Sequence, residues 1–239
     1  MNQIINRETK FIDLGLIDYK EAWDYQTNLF NSTLDSKTKN RSLPLNQQRA
    51  TNNYLIFCEH PHVFTLGKSG DEKNLLVKKE NLHTIHASYY PINRGGDITY
   101  HGPGQLVVYP VIDLENFFTD IHKYMRLLEE SVIQTLHEFK IESGRISGLT
   151  GVWLGIENKR NARKICALGV KTSRWVALHG LAFNVNANLD YFNYIVPCGI
   201  EDKAVTSLEK ELNHKTDMTQ VKLILKEKIA SIFEMTLVH

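Results

Sequence analysis

A glycine-rich segment that runs directly into an apolar strand constrains the fold of this chain more than any other feature. The segment spans residues 94–114 and reads RGGDITYHGPGQLVVYPVIDL. Glycine permits tight turns and lets another group approach the main chain closely. Residues 105–114 are β-branched, aromatic and almost wholly apolar, which is typical of a strand buried on both faces. We therefore predict a central strand entered through glycine turns, with Pro110 weakening its far end.

Other segments predict helices and strands that surround this central strand. Residues 121–139 place apolar side chains on one helical stripe that Thr119 or Asp120 can cap. Residues 19–34 and 219–233 also follow a helical spacing. Strands are predicted in NYLIFCEH, VFTLG, GVWLGI, KICALGVK and WVALHGLAFNV.

These elements do not alternate strictly between strand and helix along the chain. We therefore predict an α+β (mixed α/β) fold, with a mixed β-sheet flanked by helices in a single domain over residues 1–239. Residues 35–52 are polar and contain a proline, which predicts a mobile surface loop.

Composition excludes several classes of protein. Of 239 residues, 42% are apolar and 23% are charged, which is ordinary for a globular chain and disfavours disorder. The formal net charge of +1 gives no sign of a nucleic-acid binder. No apolar run approaches the roughly 18 residues of a membrane span, and the N-terminal sequence lacks a signal-peptide core. We expect a cytoplasmic protein that binds neither membrane nor nucleic acid.

The polar residues of the glycine-rich segment indicate a binding site. The spacing matches neither GxGxxG nor GxxxxGK[ST], and a strand follows instead of a helix, so a nucleotide site is disfavoured. Glycines alone most often mark tight turns of a hairpin. Arg94, Thr99, His101 and Gln105 add directional contacts beside them, and the glycine N–H groups could serve an oxyanion.

The three cysteines do not form a disulfide framework or a zinc motif. Cys58, Cys166 and Cys198 are widely spaced and odd in number. Cys58 with the nearby His60 and His62 lacks a fourth ligand, so we expect no metal. Cys58 and Cys166 lie in apolar runs and are predicted to be buried. Cys198 lies between a proline and a glycine, where a thiol can be presented into a cleft for acyl transfer.

Several blocks of the sequence resemble the lipoyl(octanoyl) transferases. RGGDITYHGPGQ matches every fixed position of the family pattern R-G-G-x-x-T-Y-H-G-P-G-Q. EHPHVFTLG is similar to a second block, with His62 where a proline is usual. KICALGVK, HGLAFNVN and PCG resemble the remaining blocks, and together the matches cover roughly residues 55–210.

The resemblance implies a fold like that of biotin and lipoate protein ligases, and an octanoyltransferase that needs no cofactor. The implied donor is octanoyl-acyl carrier protein, and the implied acceptors are lipoyl domains of ketoacid dehydrogenases and the glycine cleavage H protein. By position, it makes Cys198 the thioester carrier and Lys164 the base and thiolate stabiliser. The implied substrate-binding residues are Arg94, Gly95, Gly96, Asp97, Ile98, Thr99, Tyr100, His101, Ala167, Leu168, Gly169, Gly180, Leu181 and Ala182. Gln105 and His179 are implied as supporting residues.

Alternatives remain open from the residues alone. His101 and His179 are rival bases, since Cys–His pairs are the commoner arrangement. An ATP-dependent lipoate or octanoate ligase and a non-catalytic binder of acyl carrier protein are alternative functions. Residues 158–189 hold basic side chains and no acidic one, which is consistent with a face for an acidic carrier protein or with a solvated turn. These basic residues are Lys159, Arg160, Arg163, Lys164, Lys171 and Arg174.

Overall fold

A computed structural model describes residues 5–158, 160–196 and 204–238. Its helices are α1 (Tyr19–Asn40), α2 (Ile121–Glu138), α3 (Leu208–Leu212) and α4 (Met218–Phe233). Its strands are β1 (Glu8–Leu16), β2 (Asn53–Glu59), β3 (Val63–Leu66), β4 (Ser88–Pro91), β5 (Ile98–His101), β6 (Gln105–Val111), β7 (Val152–Leu154), β8 (Arg163–Ser173), β9 (Val176–Asn184), β10 (Ala204–Val205) and β11 (Thr236–Val238).

The larger sheet in the described part of the chain is mixed. Its order is β10-β8-β9-β6-β2-β1-β11, and β7 pairs with β8 at one side. The centre is antiparallel from β8 through β9 and β6 to β2, whereas β1 pairs in parallel with both β2 and β11. A smaller sheet has the order β4-β3-β5. The predicted α+β fold, with helices flanking a mixed sheet, is confirmed.

The larger sheet is covered by helices on both faces. Successive side chains of a strand point to opposite faces, so Leu55 and Phe57 of β2 pack with α2 and α4, while Ile56 and Cys58 pack with α1. All residues of β6 are buried. This two-sided burial explains the unbroken apolar run that predicted a central strand, and the strand includes Pro110.

Helix α2 follows the sequence prediction closely. The Asp120 carboxylate accepts a hydrogen bond from the Lys123 backbone N–H and caps the first turn. Tyr124, Leu128 and Val132 lie on the buried stripe and pack in the same core as α4. The N-terminal turn of α2 lies at the edge of a cavity.

The prediction of a mobile surface loop at residues 35–52 is wrong for residues 35–40. Residues 35–40 continue α1, because Lys37 turns inward and its ammonium contacts the buried carboxylate of Asp113 at 2.6 Å. Thr51, near the end of the predicted loop, is also buried and donates a hydrogen bond to Asp113. Polarity at Lys37 and Thr51 therefore reflects a buried ion pair and its hydrogen bonds, whereas residues 41–50 follow α1 and are mostly exposed.

Within residues 5–158, 160–196 and 204–238, no helix combines the length and the apolar character needed to cross a membrane.

Candidate functional site

A cavity of about 570 Å³ lies against the glycine-rich segment, strands β8 and β9, and the N-terminal turn of α2. This volume falls within the range of small-ligand sites. The structure brings most of the predicted site residues to the cavity wall: Arg94–Thr99, His101, Gln105, Lys164, Ala167–Gly169 and His179–Ala182. Alanine, leucine, valine and glycine make much of the wall, and polar or charged side chains make much of the rest.

Backbone hydrogen bonds hold the glycine-rich turn in place. The Gly95 N–H donates to the Val170 carbonyl of β8, and the Lys68 N–H donates to the Arg94 carbonyl. Gly67 allows this close packing, since a Cβ there would lie 2.2 Å from the Gly96 oxygen. The Gly104 N–H likewise donates to the Glu59 carboxylate. The N–H groups of Gly95 and Gly104 are thus already bonded to the protein, which disfavours these two as oxyanion donors.

Arg94 is buried and anchors the turn from within. Its guanidinium donates to the carbonyl and the hydroxyl of Thr65 at 2.9 and 3.0 Å, and to the Gly95 carbonyl at 3.0 Å. A planar guanidinium with fixed donor directions is suited to this task. Arg94 therefore joins the cavity wall to strand β3.

A chain of hydrogen bonds determines the tautomer of His101. Asn184 donates to the Thr206 carbonyl, and Gln105 donates to Asn184 Oδ1. Gln105 Oε1 must then accept from His101 Nδ1–H, across 2.7 Å. The other ring nitrogen of His101, Nε2, is left as an acceptor near the Thr65 hydroxyl at 3.4 Å.

The two predicted histidines of the cavity wall, His101 and His179, are held neutral. Burial lowers the pKa of His101 to about 3, helped by the nearby His60 and Arg94. Burial also lowers the pKa of His179 to about 3, again with Arg94 contributing. A base with so low a pKa takes up a proton poorly at neutral pH. This disfavours the two histidines as rival bases.

His179 has a left-handed backbone inside strand β9, with φ of 64°. Such a conformation is uncommon for a residue with a Cβ and persists only where its surroundings support it. The His179 N–H donates to Gln26 of α1 at 3.0 Å, and its ring contacts Asn93 at 3.2 Å. Helix α1 thereby helps to orient a cavity residue.

Lys164 lies on the cavity wall near one end of β8. Its Nζ is 4.6 Å from the centre of the Trp153 ring, a distance typical of a cation–π contact. Strand β10 runs alongside, with Val205 paired with Lys164 and the Thr206 N–H bonded to the Lys164 carbonyl. The main chain of Lys164 is therefore held by β10, while its ammonium lies beside the Trp153 ring.

Of the three cysteines, Cys58 and Cys166 are fully buried, as predicted. Burial raises the pKa of both thiols well above the ordinary range, so neither is a ready nucleophile. Cys198 lies outside the described residues. Phe192 precedes that part of the chain and Val205 follows it, and both line the cavity.

Tyr100 is one predicted substrate-binding residue that does not line the cavity. Its side chain is fully buried in a separate aromatic cluster, 5.0 Å from the ring of Tyr191 and hydrogen-bonded to His62. His62 itself stacks on Tyr191 at 3.9 Å. Strand β5 thus supplies cavity residues and an anchor for the smaller sheet within four positions.

Several cavity residues were not among the predicted site residues. Tyr19 comes from α1 and Asn184 from β9. Helix α2 and the loop before β7 add Ile121, His122, Met125, Arg126 and Gly148–Thr150. Asn184 stands at the fixed asparagine of the H-G-L-A-x-N block, so its position was a usable signal. The others come from segments outside the family blocks, where no local pattern separates a cavity residue from a core or surface residue.

The basic residues of 158–189 do not form one face. Arg163 begins β8 and makes a two-point ion pair with Glu211, whereas Arg174 follows the far end of the strand and donates to Thr38. Eleven residues of strand place these two arginines about 35 Å apart. Lys159 lies outside the described residues. Arg163 and Arg174 therefore cannot belong to the same docking face, and a face for an acidic carrier protein built from the other basic residues stays a prediction.

Comparison with known proteins agrees with this geometry. A family model described as lipoyl protein ligase A/B catalytic domain matches residues 18–230. An octanoyltransferase of Cytophaga hutchinsonii is 59% identical over 235 residues, which cover 98% of this chain and 96% of that protein.

Solved structures of ligases share the fold. A bi-partite lipoate protein ligase from Thermoplasma acidophilum superposes with a TM-score of 0.69 at 16% identity, covering 98% of this chain and 87% of that one. A biotin protein ligase from Aquifex aeolicus gives a TM-score of 0.52 at 14% identity, covering 94% and 70%. The chain belongs to the lipoyl protein ligase A/B catalytic domain family.

Proposed function

We propose that this protein is an octanoyltransferase of protein lipoylation. It takes an octanoyl group from octanoyl-acyl carrier protein and passes it to a lysine of a lipoyl domain, through a thioester on Cys198 with Lys164 as the proton carrier. The acceptors are lipoyl domains of ketoacid dehydrogenases and the glycine cleavage H protein. The likeness in sequence to an octanoyltransferase over nearly the whole chain supports the reaction class.

In the first half-reaction the Cys198 thiolate attacks the carbonyl carbon of the donor thioester. A new C–S bond forms, the C–S bond to the carrier breaks, and the leaving thiolate takes a proton from the Lys164 ammonium. One thioester replaces another, so the exchange has little net free-energy change. The octanoyl group is then held on the enzyme, and Lys164 is neutral.

In the second half-reaction the neutral amine of the acceptor lysine attacks the Cys198 thioester. The amide C–N bond forms, the C–S bond breaks, and Cys198 leaves as a thiolate. Lys164 accepts the proton that the amine loses. This restores the thiolate and ammonium pair with which the cycle began.

The observation that carries the proposal is the position of Lys164. Its side chain lines an apolar cavity whose wall also includes Phe192 and Val205, on either side of the chain segment that contains Cys198. The other two thiols are buried and have raised pKa values. Each buried methylene of an acyl chain contributes about 0.8 kcal/mol before ordering costs, so the cavity can select a linear chain.

Mass spectrometry tests the thioester directly. The protein is mixed with octanoyl-acyl carrier protein, and we expect a gain of one octanoyl mass that maps to Cys198 and is lost when a lipoyl domain is added. Cys198→Ala should gain no mass, whereas Cys166→Ala should still be acylated. A wild-type protein that transfers octanoyl with no adduct on Cys198 would contradict the thioester route.

Self-acylation of variants at neutral and alkaline pH distinguishes the role of Lys164 from that of the histidines. Lys164→Ala should not self-acylate at neutral pH, because the thiol stays protonated, and should recover part of its acylation at alkaline pH. Self-acylation of His179→Ala should remain measurable at neutral pH. The opposite pair of results would assign the base to histidine.

The ATP-dependent ligase makes a different prediction. It would consume ATP with free octanoate and would not need the carrier protein. We expect no octanoylation of a lipoyl domain from ATP and octanoate, and its appearance would favour the ligase.

A further inference from the structure

Glu129 of α2 is a fully buried carboxylate with hydrogen bonds at both oxygens. Its Oε1 accepts the Gly151 N–H at 2.9 Å. Its Oε2 lies 3.0 Å from Arg145 Nε and 2.8 Å from Arg126. Arg145 and Gly151 are the two ends of residues 145–151, which we call the cavity loop. One carboxylate therefore holds both ends of this loop against α2.

The cavity loop lies directly against Lys164. Gly148–Thr150 line the same cavity as Lys164. Gly151 has φ of 121°, and a Cβ at this position would lie 3.3 Å from Lys164 Cε and 3.5 Å from Cδ. The Gly151 main chain thus forms one boundary of the channel that the Lys164 methylenes occupy.

Trp153 forms the other boundary. Its buried ring lies 4.6 Å from Lys164 Nζ, and its main chain is paired with Lys164 across β7 and β8. Two reciprocal hydrogen bonds join Trp153, which follows the cavity loop, to Gly144, which immediately precedes it. The Lys164 side chain is therefore set by Trp153 and Gly151 together, and Gly151 is set by Glu129.

We propose that Glu129 is a positioning residue for Lys164. By receiving Gly151 and Arg145 on its two oxygens, it keeps the cavity loop packed against the lysine and holds the ammonium beside the Trp153 ring at the cavity wall. This inference rests on the proposed function, since it takes Lys164 as the group that stabilises the Cys198 thiolate.

A glutamine at position 129 cannot reproduce these contacts. The carboxylate accepts hydrogen bonds at both oxygens, from an N–H of Gly151 on one side and guanidinium groups on the other. An amide has one oxygen and one NH₂, so either orientation sets a donor against a donor. Glu129→Gln therefore keeps the size of the side chain and releases one end of the cavity loop.

Glu130 provides a matched control on the same helix. It also accepts a hydrogen bond from Arg145, at 2.7 Å, but it is partly exposed. Its other side-chain hydrogen bond comes from Gln134, on the same helix. Glu130→Gln removes an equal charge from the same arginine and leaves the Gly151 contact in place.

The experiment measures the pH midpoint for alkylation of Cys198 by iodoacetamide, which reacts with the thiolate. Wild-type protein, Glu129→Gln, Glu130→Gln and Lys164→Ala are compared in full-length form, with kcat and KM for octanoyl transfer. We expect Glu129→Gln to raise the midpoint by about one pH unit, which means roughly tenfold less thiolate at pH values well below the wild-type midpoint. Its kcat should fall with little change in KM, and Glu130→Gln should match wild type.

Each outcome distinguishes the two proposals. If Lys164→Ala leaves the midpoint unchanged, the proposed role of Lys164 fails. If Lys164→Ala raises it while Glu129→Gln does not, the positioning role of Glu129 fails and the proposed function stands. If Glu129→Gln does not fold, Arg145→Ala releases the other end of the cavity loop and should raise the midpoint in the same direction. The inference would also be overturned if Glu130→Gln raised the alkylation midpoint as much as Glu129→Gln does.

Discussion

At the residue scale, two glycines that face each other across β8 and β9 shape the cavity in different ways. Gly169 and Gly180 are register partners. A Cβ on Gly180 would lie 2.1 Å from the Val108 carbonyl oxygen, inside the sheet. A Cβ on Gly169 would lie 2.9 Å from the Gly95 carbonyl oxygen, in the glycine-rich turn. One glycine lets strands β6 and β9 approach, and the other lets the turn rest on β8.

We predict that Gly180→Ala mainly lowers stability. The new methyl group meets main chain of β6, which is fixed by the sheet, so the free energy of unfolding should fall by about 1–3 kcal/mol. Urea unfolding followed by circular dichroism measures this change. An unfolding midpoint equal to that of wild type would show that the sheet relaxes without cost.

Gly169→Ala should instead affect activity. The turn at Gly95 and Arg94 must move by a few tenths of an ångström, and small displacements of a binding wall reduce transfer rates several-fold or more. Steady-state octanoyl transfer measures the effect, with urea unfolding as the control for stability. Full activity in Gly169→Ala would mean that the turn does not contact the acyl group.

At the element scale, a buried ion pair attaches α1 to the sheet. Lys37, in the last turns of α1, contacts Asp113 at 2.6 Å and Glu115 at 2.8 Å. Asp113 has no exposed side-chain surface and also accepts from the Thr51 hydroxyl. Tyr19, at the other end of α1, lines the cavity, so the position of this helix on the sheet affects the cavity wall.

We predict that Lys37→Met destabilises the protein by about 3–5 kcal/mol, because it leaves the Asp113 carboxylate buried without its cation. Adding Asp113→Asn should recover more than half of this loss, since the amide removes the charge and keeps an acceptor for Thr51. Urea unfolding measures both variants. Lys39→Met, at an exposed neighbouring position, is the control, and an equal loss there would rule out the ion pair as the cause.

At the scale of the whole molecule, three buried histidines make stability depend on pH. Burial lowers the pKa from an ordinary 6.5 to about 4 for His60, and to about 3 for His101 and His179. Between pH 3 and pH 6.5 the unfolded chain therefore binds protons that the native protein does not. Stability rises with pH through this window and is lost as the pH falls through it.

We predict that the free energy of unfolding falls between pH 7 and pH 5 by about 2 kcal/mol for each of the three histidines. Urea unfolding at the two pH values measures this loss. His60→Gln should remove about one third of it, whereas His83→Gln, at an exposed position, should leave it unchanged. A stability that is flat over this range would mean that the buried histidines are protonated in the native protein.

The parts of the fold that could be predicted are those with a local physical cause. Strand β6 was evident because burial on both faces requires an unbroken apolar run. Helix α2 was evident because its stripe and its Asp120 cap lie within one segment. The glycine-rich turn, Lys164 and the strands of the cavity wall were predictable from the family blocks, since each block keeps its residues at constant spacing.

The sequence by itself determined the class of fold, the family and most of the side chains that face the cavity. Tertiary structure alone decided that Tyr100 leaves the cavity for an aromatic cluster, that Lys37 extends α1, and that Glu129 holds the loop beside Lys164. Each of these depends on a partner more than fourteen positions away in the chain. Periodicity and capping report only on neighbours within a few residues, whereas such contacts exist only once the sheet and helices have packed.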